Sequence, residues 1–171
     1  YNAIISVAAP ALAEWSRTAA AGHYRSLRRD FRFRQMGTAS LAILAAAAVL
    51  PFASDLLVGI YGETYRSGAA LLRLSVVGWI ALGAGCWYNY LFTAVRHPGR
   101  VMLPNVVWGT VQVAAGYVFM KWVAQDAMRA MWAYVLAYLA WVAVYEIVYQ
   151  RTWRKPDLLS TAAATRGPRP A

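Results

Sequence analysis

Among the polar side chains within or at the edge of long apolar runs of this sequence, four stand out for size or charge: Arg73, Asn89, Asn105 and Gln112. A polar group at membrane depth is costly unless it is paired or hydrated, so each is a functional candidate first. Asn105 and Gln112 stand seven apart and share a helix face, with Trp108 and Gly116 beside them. Two amides among aromatic rings form either an interhelical hydrogen-bonding pair or a stripe suited to a hydroxyl-rich ligand. Asn89 shares a face with Gly78 and Gly85, a pattern of close helix packing or of a cavity wall. Arg73 lies elsewhere on that helix, near its outer end. There it either snorkels outward, pairs with Glu63, or meets an anionic substrate in a central path.

Two further patterns bear on chemistry. Tyr134, Tyr138, Trp141, Tyr145 and Tyr149 recur at helical spacing within one sector, as a packing face or a ligand stripe. The stretch "HYRSLRRDFRFRQMG" at 23–37 interleaves arginines with Tyr24, Phe31 and Phe33. Such a mixture can grip phosphates and stack bases. It is also what a cytosolic segment beside anionic lipid heads contains, at about 1 kcal/mol per basic residue. The apolar context favours the lipid reading, and nucleic acid is not an expected partner. Within this segment Arg28, Arg29 and Arg32 are candidates for gathering an anionic cargo at the membrane surface.

Catalysis has little to draw on. No carboxylates pair within a helical turn, no Ser, His and Asp set assembles, and no GxxxxGK loop occurs. His23, Cys86 and His97 stand apart, so no metal cluster is expected, and neither is a cofactor. The chain is not expected to be an enzyme.

The elements that must hold these residues are apolar helices. Of 171 residues 60% are hydrophobic and only 14% charged, with a net charge of +10. That charged share is roughly half the usual one for a soluble domain. The uncharged blocks at 35–54, 74–95 and 101–120 approach or exceed the roughly 20 residues that cross a bilayer. A fourth begins at Ala130 and continues past Glu146. The blocks do not alternate, so helices rather than barrel strands are expected.

The expected class is therefore an all-α integral membrane fold with four full transmembrane helices and a partial N-terminal one. Residues 1–13 read as the end of a truncated transmembrane helix and 14–35 as a basic cytoplasmic loop. The four-helix region covers 36–150, with helices at about 36–57, 68–95, 101–122 and 129–150. Residues 151–171 read as a basic, disordered cytoplasmic tail. Alternating the connectors puts thirteen basic residues on one side and four on the other. The positive side is cytoplasmic, which sends the C-terminus there.

The order of the connectors resembles a known family. A "P-A-L-A" helix end at Pro10 precedes the Arg cluster, an "I-Y-G-E-T-Y" turn carries Tyr61, Gly62 and Tyr65, and "T-A-V-R-H-P-G-R" includes Ala94, Gly99 and Arg100. This pattern is similar to the C-terminal half of polysaccharide flippases of the multidrug/oligosaccharidyl-lipid/polysaccharide superfamily. It covers about residues 1–150. Two departures are the "AQDAMRAMWAY" stretch, where a small Gly-rich turn is usual, and a helix number well below the family's.

The resemblance implies part of the C-terminal lobe of a two-lobe bundle in the bacterial inner membrane. Its partners would be the lipid bilayer, the missing N-terminal lobe and a lipid-linked oligosaccharide. The cargo would be moved by alternating access, with Arg73, Asn89, Asn105 and Gln112 along the substrate path. Alternatives are an ion-coupled drug or metabolite antiporter of the same superfamily, and a non-transporting membrane polymerase or scaffold of envelope assembly.

Overall fold

The computed structural model describes residues 2–97, 99–119, 121 and 127–154, with the backbone alone for 2–9. Among them it is all-helical: α1 (Asn2–Ala20), α2 (Tyr24–Val49), α3 (Ala53–Tyr61), a 3₁₀ turn (Glu63–Gly68), α4 (Ala69–Ala94), α5 (Gly99–Val118) and α6 (Ala127–Arg154). The expected tail at 155–171 and part of the "AQDAMRAMWAY" stretch lie outside the described residues. Residues 151–154 continue α6.

The basic segment 14–35, expected as a loop, is helical except for a turn at 21–23. Arginine is a strong helix former, and Asp30 pairs with Arg34 one turn on, at 2.7 Å. Leu27, Phe31 and Gln35 recur every four residues and are all buried, while Arg25, Arg28 and Arg29 face outward. The segment is thus the end of α1, a turn, and the amphipathic start of α2. Gly22, at φ +76°, ends α1 in a Schellman turn, with His23 N–H donating to Thr18 O and Gly22 N–H to Ala19 O.

The first expected span, 36–57, is interrupted. Pro51 has no amide proton to continue the helix, and α2 and α3 meet at a 75° bend. The α4–α5 connection repeats the Schellman pattern: His97 N–H donates to Phe92 O and Arg96 N–H to Thr93 O. Here Arg96 occupies the left-handed position, at φ +59°.

Three helical stretches are long and apolar enough to cross a membrane: Glu63–Ala94, Gly99–Val118 and Ala127–Arg154. The bent α2–α3 pair makes a fourth if counted as one span. α4 is apolar on every face, the mark of a central helix, and it packs against α1, α2, α3, α5 and α6. At the other extreme, α5 buries only Pro104. Its Met102, Leu103, Val106 and Val113 are exposed, as are Leu41, Ile43 and Leu44 on α2.

Glycines let α6 approach α4 closely. A Cβ at Gly78 would lie 2.6 Å from Tyr134, and one at Gly85 would overlap the Trp141 ring. The core that results is unusually aromatic. Tyr88 and Tyr145 stack with centroids 5.1 Å apart and planes within 5°. Phe31 stacks on Tyr149 at 5.1 Å, and Trp141 meets Tyr145 edge-on at 5.0 Å. Offset and edge contacts of this kind add about 0.5–1.5 kcal/mol each to ordinary burial.

The three basic segments gather at one end of the bundle. Tyr24 meets Trp153 edge-on at 6.1 Å, and Arg100 Nη1 donates to Thr152 Oγ1 at 2.6 Å. Arg73 lies toward the other end, its Nε 3.4 Å from Leu50 O.

Candidate functional site

A cavity of about 540 Å³ opens where α1, α4, α5 and α6 meet. Leu12 comes from α1 and Leu82, Cys86, Asn89, Tyr90 and Thr93 from α4. α5 supplies Asn105 and Trp108, and α6 supplies Tyr138 and Trp141. Two of the four expected path residues, Asn89 and Asn105, sixteen positions apart in sequence, are thereby brought to one space from consecutive helices. Gln112 is two turns further along α5 and does not line the cavity. Arg73 is exposed near the opposite end, and Glu63, a possible partner for it, binds Arg66 instead at 2.6 Å.

Both amides are oriented by donor groups on α6. Trp141 Nε1–H donates to Asn105 Oδ1 at 2.8 Å, and Tyr145 O–H donates to Asn89 Oδ1. An indole nitrogen only donates, so it fixes which end of the Asn105 amide it meets. The consequence is chemical. Each asparagine has its oxygen engaged, and each Nδ2 amino group has no partner among the described residues. Trp108 Nε1 is a further buried donor without one. The cavity therefore has two unpaired amide donors between aromatic faces, with a third donor buried in its Trp108 wall, an arrangement for oxygen-rich, neutral or anionic ligand groups.

The aromatic sector of α6 divides its work along its length. Tyr134 fills the space over Gly78, Tyr138 and Trp141 line the cavity, and Tyr145 and Tyr149 are wholly buried. Packing and cavity lining, which spacing alone left open, are both realised on one stripe.

A second polar centre was missed by sequence reasoning. Arg32 Nη2 and Nη1 donate to Glu146 Oε1 and Oε2 at 2.6 and 3.0 Å, joining α2 to α6. Arg32 Nη1 also reaches Gln35 Oε1 at 2.7 Å, and Gln35 Nε2 binds Ala84 O at 2.9 Å. Tyr88 O–H donates to Glu146 Oε2, and Gln150 Nε2 donates to Oε1 at 3.0 Å. The guanidinium lies 4.3 Å from the Tyr149 ring centroid. Arg32, expected to gather cargo, is thus engaged in a half-buried network, while Arg28 and Arg29 are exposed. The available signal was the four-residue recurrence of Leu27, Phe31 and Gln35 inside the arginine run, which marks an inward face.

Among the described residues no group of three His, Cys, Asp or Glu side chains is placed to hold a metal ion. In comparison with known proteins, no family model, curated protein or solved structure matches the chain.

Proposed function

We propose that this chain is a membrane-embedded part of a carrier that moves a polyprenyl-pyrophosphate-linked oligosaccharide between leaflets by alternating access. The observation that carries the reading is the cavity whose unused amide and indole donors lie among aromatic rings. Sugar hydroxyls and acyl oxygens accept from such donors, and sugar faces lie against aromatic rings. The cavity's size is in the ordinary range for a ligand site, about 300–1,000 Å³. Apolar helices of spanning length surround it, which suits transport of a lipid-anchored molecule.

On this reading the chain forms part of the C-terminal lobe of a two-lobed bundle in a bacterial cytoplasmic membrane. Four spans are counted with α2 and α3 as one. The end bearing Arg28, Arg100 and Arg154 is cytosolic by the charge rule. Arg28 and Arg29 meet the cargo's pyrophosphate there, and the cavity takes its sugars.

Deletion of the gene tests this. Lipid-linked repeat units should accumulate on the cytosolic leaflet while surface glycan disappears. Complementation with Asn105→Leu or Trp108→Leu should restore protein in the membrane but not export. Normal surface glycan after deletion, with no accumulated intermediate, overturns the reading.

One observation favours a second reading, an ion-coupled antiporter. Glu146 is a carboxylate inside a helix of spanning length, tied to Arg32 and Tyr88. Uptake driven by an imposed pH gradient in proteoliposomes, lost in Glu146→Gln, would support that reading over the first.

A further inference from the structure

At the basic end of the bundle a separate cavity of about 330 Å³ lies between the first turns of α2 and the last turns of α6. Arg28, Arg32, Gln150, Trp153 and Arg154 line it. We infer that this pocket binds the phosphate headgroup of an anionic membrane lipid. The inference rests on reading these helices as membrane spans, not on the identity of the cargo.

Charge is the first argument. Three guanidinium groups line one small space, and the carboxylate that pairs with one of them, Glu146, is shared among Arg32, Tyr88 and Gln150. Among the described residues no carboxylate pairs with Arg28 or Arg154. With Arg32 neutralised by Glu146, the described residues of the lining retain two positive charges, Arg28 and Arg154. The C-terminal end of α6 opposes an anion through its carbonyls, but by only about half a charge. The two arginines outweigh it.

Hydrogen bonding is the second. The arginine forks and the Gln150 side chain supply polar groups to the wall, and Trp153 Nε1 is a further donor, buried behind it without a partner. An excess of donors with two net positive charges fits an anion carrying several acceptor oxygens, and guanidinium groups pair with phosphate in bidentate fashion.

The surface beside the pocket selects a lipid as the phosphate's source. On α2 the exposed residues pass from Arg29 to Phe33, Met36 and Ile43, spaced four, three and seven apart on one face. Phe33 is 77% and Met36 68% exposed. A headgroup in the pocket would leave its acyl or polyprenyl chain beside this apolar strip. Tyr24 and Trp153, in contact at 6.1 Å, flank the pocket as interfacial aromatics do.

The test uses the full-length protein in nanodiscs, with retained lipid measured after detergent extraction. Phosphatidylglycerol should be retained over phosphatidylcholine. Arg28→Gln with Arg154→Gln should lower that retention by about tenfold or more, as loss of charge-assisted bonds does. Arg17→Gln with Arg25→Gln removes the same charge outside the pocket and should have a clearly smaller effect. Polyprenyl phosphate displacing phosphatidylglycerol would assign the pocket to cargo-type lipid, and failure to displace it would assign it to bulk lipid; either supports a lipid phosphate site. Equal retention of the two phospholipids by the wild type overturns the inference, whatever the variants' folding. So does an equal loss in both variant pairs, or competition by inorganic phosphate at the lipid's own concentration. Export is not the readout, so failure of the transport reading leaves this test intact.

Discussion

Arg32 on α2 and Glu146 on α6 form a two-pronged ion pair across 114 positions of sequence. Each side chain is about one-third exposed, 34% and 30%. A fully buried pair loses about 3–5 kcal/mol when one partner is removed, and an exposed one about 0–1. Glu146→Gln should therefore cost about 1–3 kcal/mol, read as a lower midpoint for thermal unfolding in detergent. The exchanged pair, Arg32→Glu with Glu146→Arg, should recover part of that loss. No recovery would mean that Tyr88 and Gln150, rather than Arg32, define the carboxylate's role.

Gly85→Ala tests the close approach of α4 and α6. The added methyl meets the Trp141 ring, which itself lies in the core. Overpacking of this sort costs about 1–3 kcal/mol. Gly109→Ala is the contrasting change: that site is helical and open, with nothing within 4 Å. Alanine there should stabilise by about 0.5–1 kcal/mol through helix propensity. Equal midpoints for the two variants would refute the packing account.

Arg96 holds the left-handed position that glycine holds at residue 22. The conformation costs a side-chain-bearing residue roughly 1 kcal/mol. Arg96→Gly should raise the unfolding midpoint, and Gly22→Ala should lower it by a similar amount. A fall with Arg96→Gly would show that the side chain's contacts outweigh its backbone strain.

Sidedness is open to labelling in intact cells. Ser26 and Glu63 are both exposed and lie toward opposite ends of the bundle, and the native Cys86 is buried. An impermeant thiol reagent applied outside should modify Glu63→Cys and spare Ser26→Cys. The reverse pattern would invert the orientation taken from the charge rule.

How much of this was legible beforehand depended on the kind of signal. Helical class and the approximate places of α4, α5 and α6 followed from uncharged blocks, because length and apolarity are local properties. The bend at Pro51 carried a local signal too, but the expected span ran through it. The helical state of 14–35 was hidden because charge marked it as a connector, although Leu27 and Phe31 already showed an inward face. Asn89 and Asn105 were visible as polar residues in apolar surroundings, and both line the cavity. Gln112 and Arg73 carried the same signal and lie outside it. Polarity in a span identifies candidates, but convergence depends on where along and around each helix they fall: Gln112 shares the Asn105 face and misses the cavity by depth. The Arg32–Glu146 pair needed that tertiary information most, since Arg32 alone read as one charge of a basic loop and Glu146 as an interruption in an apolar run.

The ring stack described above has a mechanical consequence. It joins α2, α4 and α6 through Phe31, Tyr88, Tyr145 and Tyr149, and none of these rings belongs to α5. α5 nevertheless supplies one side of the 540 Å³ cavity while burying only Pro104. The space thus has a continuous ring stack on one side and, on the other, a helix packed mainly on α6, held there by the Asn105–Trp141 bond and the Trp108–Tyr138 ring contact. Widening the space on the α5 side would have to separate α5 from α6 and break both ties, while the stack joining α2, α4 and α6 stays whole.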